Sequence, residues 1–208
     1  GGDQVFEKIL VAAGRVPNVA QLGLEHSGLP LDPIGLPVFD PETLQVGDSS
    51  VYMAGDVLIE RPILHEAADE GRIAGAGAVG HPNPPGGARR VPLNIVFSDP
   101  NIIQVGMHPR DFDSARHCAG EADFWDQGRS RVMGVNKGTL RVYGERSSRR
   151  IVGAEGVGPR FEHLAQLIAW SIGAGLTVDR ALEMPFYHPV IEEGLRTALR
   201  SLKSALDE

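Results

Sequence analysis

Leu93-Asn94-Ile95-Val96-Phe97-Ser98-Asp99-Pro100-Asn101-Ile102-Ile103-Gln104-Val105 is the stretch that decides the fold. Two runs rich in Leu, Ile and Val flank a turn with proline at its centre, a pattern that predicts paired antiparallel strands. Further along, residues 129–136 and 139–143 flank Lys137-Gly138, which predicts a hairpin, and residues 151–157 add another strand. The apolar period then changes. Phe161, Leu164, Leu167, Ile168 and Ile172 fall at helical spacing, with Gly173 and Gly175 as the stop. Thr177 is placed to cap a short helix to Met184. Ile191, Leu195, Ala198, Leu199, Leu202 and Leu206 share one face of a last helix, with Pro189 at its first position and Glu192 and Glu193 in its first turn. Strands followed by helices predict an α+β fold, an antiparallel sheet flanked by helices.

His81-Pro82-Asn83-Pro84-Pro85-Gly86-Gly87 holds three prolines in seven residues, which no helix can continue through, and it divides the chain into residues 1–88 and 89–208. In the first part, residues 9–13, ending at Gly14, and residues 51–54, stopped by Gly55-Asp56, read as strands buried on both faces. Residues 15–50 are rich in proline and glycine and read as loop, with a short helix near residues 19–23 and a strand near 36–39. Residues 64–79 read as a helix starting near Pro62 and ending at Gly80. This first part is thus a partial α/β segment.

The 208 residues carry 20 Lys+Arg against 27 Asp+Glu, a net charge of −7, so no overall positive field exists to hold nucleic acid or an anionic membrane, and neither is expected as a partner. The cluster Arg146, Arg149 and Arg150 reads as solvated surface. The single cysteine, Cys118, excludes an intramolecular disulfide and a zinc site built from several thiolates; no metal is expected, and the context reads as cytoplasmic. No apolar run approaches the length of a membrane helix, and the start lacks the basic-then-apolar pattern of a signal peptide. The opening Gly1-Gly2-Asp3-Gln4 leads straight into an apolar segment, which predicts a piece of a larger fold.

Gly75-Ala76-Gly77-Ala78-Val79-Gly80 spells a dinucleotide fingerprint, but such a loop must follow a strand and open a helix. This one closes a helix, so it reads as close helix packing and a stop. Asp56, just past an apolar run, can accept hydrogen bonds from sugar hydroxyls; the bare pattern favours a helix N-cap instead. His188, between Tyr187 and Pro189, lies five residues before Glu193, and a carboxylate in reach would orient the ring and make it a general base. Spacing alone favours the plainer alternative, in which His188 caps the helix and Glu193 is solvated. His65, His108, His117 and His163 read as surface or packing residues, and Cys118 as an incidental thiol in a polar loop.

Taken together, these residues resemble the C-terminal half of the FAD-dependent pyridine nucleotide-disulfide oxidoreductases, and among them the dihydrolipoamide dehydrogenases. Ala12-Ala13-Gly14-Arg15-Val16-Pro17-Asn18 is similar to the family's exit from its NAD domain, and residues 51–56 are similar to its second flavin motif. Phe97-Ser98-Asp99-Pro100 with Val105-Gly106 resembles the opening of its dimerisation domain, and residues 186–193 resemble its His-Pro-x-x-x-Glu element. Val190 stands where the family usually has Thr.

The resemblance implies a homodimer that passes electrons between a dithiol such as dihydrolipoamide, an enzyme disulfide, FAD and NAD. In it, His188 held by Glu193 is the base for the dithiol of the other subunit. Gly14, Arg15, Gly55 and Asp56 belong to the cofactor-binding set, with Asp56 on the flavin ribityl chain and backbone around Leu64 and His65 facing the flavin ring. The flavin-binding part is residues 1–88 and the dimerisation domain is 89–208. The redox cysteine pair and the dinucleotide loop of the family are absent, so this chain alone is expected to be inactive and to hold FAD weakly or not at all. The alternative is a free-standing, non-catalytic dimerisation module.

Overall fold

A computed structural model describes residues 3–208; Gly1 and Gly2, at which the sequence opens, lie outside the described residues. The chain divides into two compact units, Gly1–Arg90 and Val91–Glu208.

Among its described residues the first unit contains one regular helix, α1 (Leu64–Gly80), and two short 3₁₀ turns, Leu24–His26 and Asp56–Leu58. Residues 9–13 form no strand, and Ile9, Leu10 and Val11 are exposed. A strand buried on both faces needs hydrogen-bonded neighbours on both sides, and among the described residues this segment has none. Residues 36–39 and 51–54 likewise make only isolated antiparallel bridges, Leu31 to Pro37, Phe39 to Val46 and Gln45 to Tyr52. The 3₁₀ turn at Leu24–His26 replaces the helix predicted near 19–23. A small core of Leu44, Leu58, Ile73 and Ala74, with Phe39 and Tyr52 against it, holds α1 to these loops. Gly77 explains the glycine run at the end of α1: a Cβ there would sit 2.5 Å from a ring carbon of Tyr52, so the glycine serves close packing.

The second unit is a five-stranded sheet built from β1 (Leu93–Val96), β2 (Asn101–Gly106), β3 (His117–Asp123), β4 (Thr139–Glu145) and β5 (Ile151–Gly158). Their order is β1-β2-β5-β4-β3 and every pairing is antiparallel. Alternation along the strands sends Ile103, Val105, Leu140, Val142, Ala154, Cys118 and Ala122 to one face, where α3 (Phe161–Gly173) and α5 (Glu193–Asp207) cover them. The other face carries a polar row across neighbouring strands. Arg141 donates to Glu121 at 2.7 Å and to Glu155 at 3.2 Å, and the Tyr143 hydroxyl donates to Glu155 at 2.6 Å. Burial, and then the Glu155 carboxylate, push the Tyr143 phenol up to about 12, which keeps it a neutral donor.

Two parts of this unit depart from the sequence reading. Residues 129–136, predicted as a strand, begin inside α2 (Gly128–Val132). The Gln127 side chain accepts from the Ser130 N–H at 2.7 Å, and the buried Ser130 hydroxyl donates to the Phe124 carbonyl at 3.0 Å, so local side-chain bonds favour a helical turn over the apolar run. Cys118 is in no polar loop: it is buried in β3, and its thiol donates to the Ala205 carbonyl at 3.1 Å. The small residues of that strand admit α5, since a Cβ at Gly120 would lie 2.1 Å from the Leu202 nitrogen. The last helix also starts at Glu193, four positions after Pro189. Thr177 does cap α4 (Val178–Leu182), accepting from the Arg180 N–H at 3.2 Å. Among the described residues no helix is long and apolar enough to cross a membrane.

Arg149 is not free surface. Its guanidinium donates to Asp179 at 2.8 Å and reaches Asp207 at 3.0 Å, and Lys203 lies 2.8 Å from Asp207, so the β4–β5 connection is tied to α4 and α5. Arg149 holds the Asp179 carboxyl below its ordinary value, and Lys203, then Arg149, do the same for Asp207. Depressed carboxylate values stabilise the fold above the unfolded-state value, about 3.9, and that contribution is lost as pH falls through the folded-state value. Thermal unfolding across pH should therefore show Arg149→Met less stable than the parent by a constant margin above about pH 5, with the margin closing below about pH 4. A margin independent of pH down to 3 would contradict the tie.

Candidate functional site

Glu193 is the first residue of α5, and its position follows from how that helix begins. Gly194 packs on the Phe124 ring, where a Cβ would lie 2.2 Å from the ring carbon Cζ, and Phe124 meets Phe161 edge-on at 4.7 Å between centroids. The loop before α5 is held by Gln127, whose Nε2 donates to the Val190 carbonyl at 2.7 Å. In this setting the Glu193 carboxylate, 14% exposed, lies 3.0 Å from His188 Nδ1 through Oε2. It also accepts from the Val190 N–H at 3.3 Å and from Arg196 at 3.0 Å, and Arg196 in turn lies over the Phe186 ring at 5.6 Å. His188 and Glu193 are therefore a hydrogen-bonded pair, and Glu193 is not solvated.

The His188 side chain is 78% exposed, and with Nδ1 on the carboxylate the ring turns Nε2 away from it. An ionised carboxylate only accepts, so the proton of a neutral ring sits on Nδ1 and leaves the Nε2 lone pair open to take a proton from a reactant. Beside this loop lies an apolar pocket of about 650 Å³ lined by Trp170, Met184, Phe186, Tyr187 and Leu195. Trp170 and Tyr187 on its rim are 70% and 79% exposed. Leu167, one of the apolar residues at helical spacing in α3, also lines this pocket.

In the first unit, Arg15 donates to the Asp56 carboxylate at 2.6 Å. Gly14, Arg15, Asp56, Val57, Ile59 and Pro62 help to line a cleft of about 1160 Å³; Gly55, Leu64 and His65 do not line it. Asp56 caps no helix: it opens a 3₁₀ turn, and α1 begins eight residues later with Ile63 at its cap position. Leu64 and His65 are the exposed first residues of α1, and no side chain caps that helix end, so its free amides present partial positive charge. The half-exposed Asp56 carboxylate in the cleft can accept from hydroxyls, and the uncapped end of α1, outside the cleft, can take negative charge; a flavin with its sugar-alcohol chain can use both. Among the described residues, no three His, Cys, Asp or Glu side chains converge as for a metal ion.

Residues 93–199 match the model of the pyridine nucleotide-disulphide oxidoreductase dimerisation domain. The chain belongs to that family. Its five-stranded antiparallel sheet and flanking helices are the α+β architecture expected from the sequence, and the resemblance drawn from four motifs in order holds. It is similar to the dihydrolipoyl dehydrogenase of Haloferax volcanii, with 32% identity over 196 residues that cover 92% of this chain and 40% of that protein. Similarity extends to a soluble pyridine nucleotide transhydrogenase of Yersinia enterocolitica, 29% identical over 91% of this chain and 41% of the relative. The solved structure of LpdA from Mycobacterium tuberculosis superposes with a TM-score of 0.77 at 25% identity, covering 91% of this chain and 41% of that one. The chain thus spans about two fifths of the length of these relatives.

The sequence pointed to His188, Glu193, Asp56 and Arg15, and the structure brings these into two pairs. It gave no sign of Gln127 and Arg196, which come from elements distant in sequence or from the next helical turn. Nitrogen chemical shifts of the His188 ring should show the Nδ1–H tautomer at neutral or higher pH, and Glu193→Ala should remove that preference. An Nε2–H ring in the parent protein would contradict the assigned pair.

Proposed function

We propose that this chain is part of an FAD-dependent disulfide oxidoreductase of the dihydrolipoyl dehydrogenase type. It acts as a homodimer, passes electrons between a dithiol such as dihydrolipoamide and NAD, and resides in the cytoplasm. The observation that carries this reading is the His188–Glu193 pair at 3.0 Å on an exposed loop of a dimerisation domain. The Glu193 carboxylate fixes the ring, so Nε2 can take a thiol proton and make the thiolate that attacks a disulfide. The reacting disulfide comes from outside this chain, whose one cysteine is buried in β3, and the chain by itself is inactive.

The exposed apolar rim beside His188, with Trp170, Met184 and Tyr187, suits docking of a second copy, which brings His188 to the partner's reacting centre. Asp56, steadied by Arg15, would accept from ribityl hydroxyls, with Gly55 keeping the chain open beside it. The first amides of α1, at Leu64 and His65, would face the ring and stabilise negative charge there. Bound FAD supplies the two-electron acceptor between dithiol and NAD.

Replacing His188 with Ala in the flavoprotein should lower dithiol-dependent turnover about 100- to 10,000-fold with the dimer intact by sedimentation. Near-normal turnover would favour a non-catalytic dimerisation module.

A further inference from the structure

The first unit buries an ionic cluster that the preceding mechanism does not use. Glu66 and Glu70, on successive turns of α1, are 3% and 1% exposed. Arg89, whose side chain is 12% exposed, bonds Glu70, lies 2.8 Å from Glu60 and 3.8 Å from Glu66, and Arg61 lies 3.5 Å from Glu66. Burying charges costs more than their mutual attraction returns unless geometry is good, and an apolar replacement of similar volume often leaves a fold equally stable. Stability alone is therefore a weak account of two buried carboxylates, Glu66 and Glu70, against the nearly buried Arg89, with Glu60 and Arg61 at their edge.

The partners of the cluster suggest what it does. The second Glu70 oxygen accepts from the Gly55 N–H at 2.8 Å, at a backbone position with φ 89° that suits glycine. Residues 51–54 lack a regular ladder, so this N–H has no strand partner and α1 supplies the acceptor from its side. Glu60 and Arg61, at the far end of the same loop, are tied to Arg89 and Glu66. The segment from Gly55 to Arg61 is thus strapped to α1 at both ends. Between the straps a tight turn, with Leu58 donating to the Gly55 carbonyl at 2.9 Å, leaves the Asp56 side chain 51% exposed.

We propose that Glu70, locked by Arg89, is a positioning residue that fixes the Gly55 peptide and so presents the Asp56 carboxylate for flavin binding. This inference rests on the flavin reading above. It predicts that Glu70 contributes to FAD affinity only through Asp56, although it touches no part of the cleft.

A double-mutant cycle on the flavoprotein tests it, with FAD dissociation followed by flavin fluorescence and apoprotein unfolding measured for each variant. Glu70→Ala should weaken FAD binding about tenfold or more, as for loss of a hydrogen bond to a charged group. In an Asp56→Ala background, Glu70→Ala should change the dissociation constant less than about twofold. Equal losses in both backgrounds would make Glu70 a general support and overturn the inference, as would no loss in either. Unchanged FAD affinity in Asp56→Ala alone would instead overturn the flavin reading. Hydrogen exchange on the unsubstituted protein gives a test that needs no variant to fold: the Gly55 amide should exchange about 100-fold or more slower than a free amide, and exchange at the free rate would overturn the strap.

Discussion

The approach of α5 to β3 at Gly120 is the constraint on which the second unit depends. Ala198 and Leu202 occupy the space a side chain would take there, with the Ala198 carbonyl 2.4 Å and the Leu202 nitrogen 2.1 Å from where a Cβ would stand. Because helix and strand meet backbone to backbone, α5 can sit at only one height on the sheet. That height sets Gly194 on Phe124 and puts Glu193 under the His188 loop. A packing decision in the core therefore becomes a carboxylate at 3.0 Å from an imidazole at the surface.

The parts legible from sequence were those where periodicity and burial agree. Ile191, Leu195, Ala198, Leu199 and Leu202 are apolar at helical spacing and all are buried, while Leu93 to Val105 pairs as the turn between its halves implies. β3 was missed because Cys118, Gly120 and Ala122 are small and have little intrinsic preference for strands; they are selected by the helix they admit, which no local pattern records. Residues 129–136 misled in the opposite sense. Val132, Met133 and Val135 look like a strand yet are exposed, and the bonds from Gln127 and Ser130 decide the conformation. Arg149 has the look of a solvated charge and is held by two aspartates only because the β4–β5 connection passes α4 and α5.

The same contrast holds at the candidate sites. Five residues separate His188 from Glu193, and that spacing is visible in one dimension, whereas Arg15 lies 41 positions from Asp56 and Arg89 lies 19 from Glu70. Residues 9–13 and 51–54 show the limit of an apolar run as a signal: without neighbours to complete their hydrogen bonds they form no sheet, however well their side chains suit one. In the first unit, side-chain carboxylates on α1 take over part of the work that a ladder would otherwise do.

The most direct test of the proposed function, made on the flavoprotein it implies, compares flavin reduction by a dithiol with flavin reduction by NADH. The rate at which a dithiol bleaches the bound flavin, measured by stopped-flow absorbance, should fall sharply in His188→Gln, while the rate of reduction by NADH should remain that of the parent. Equal effects on both rates, or an undiminished rate with the dithiol, would contradict the role assigned to the His188–Glu193 pair.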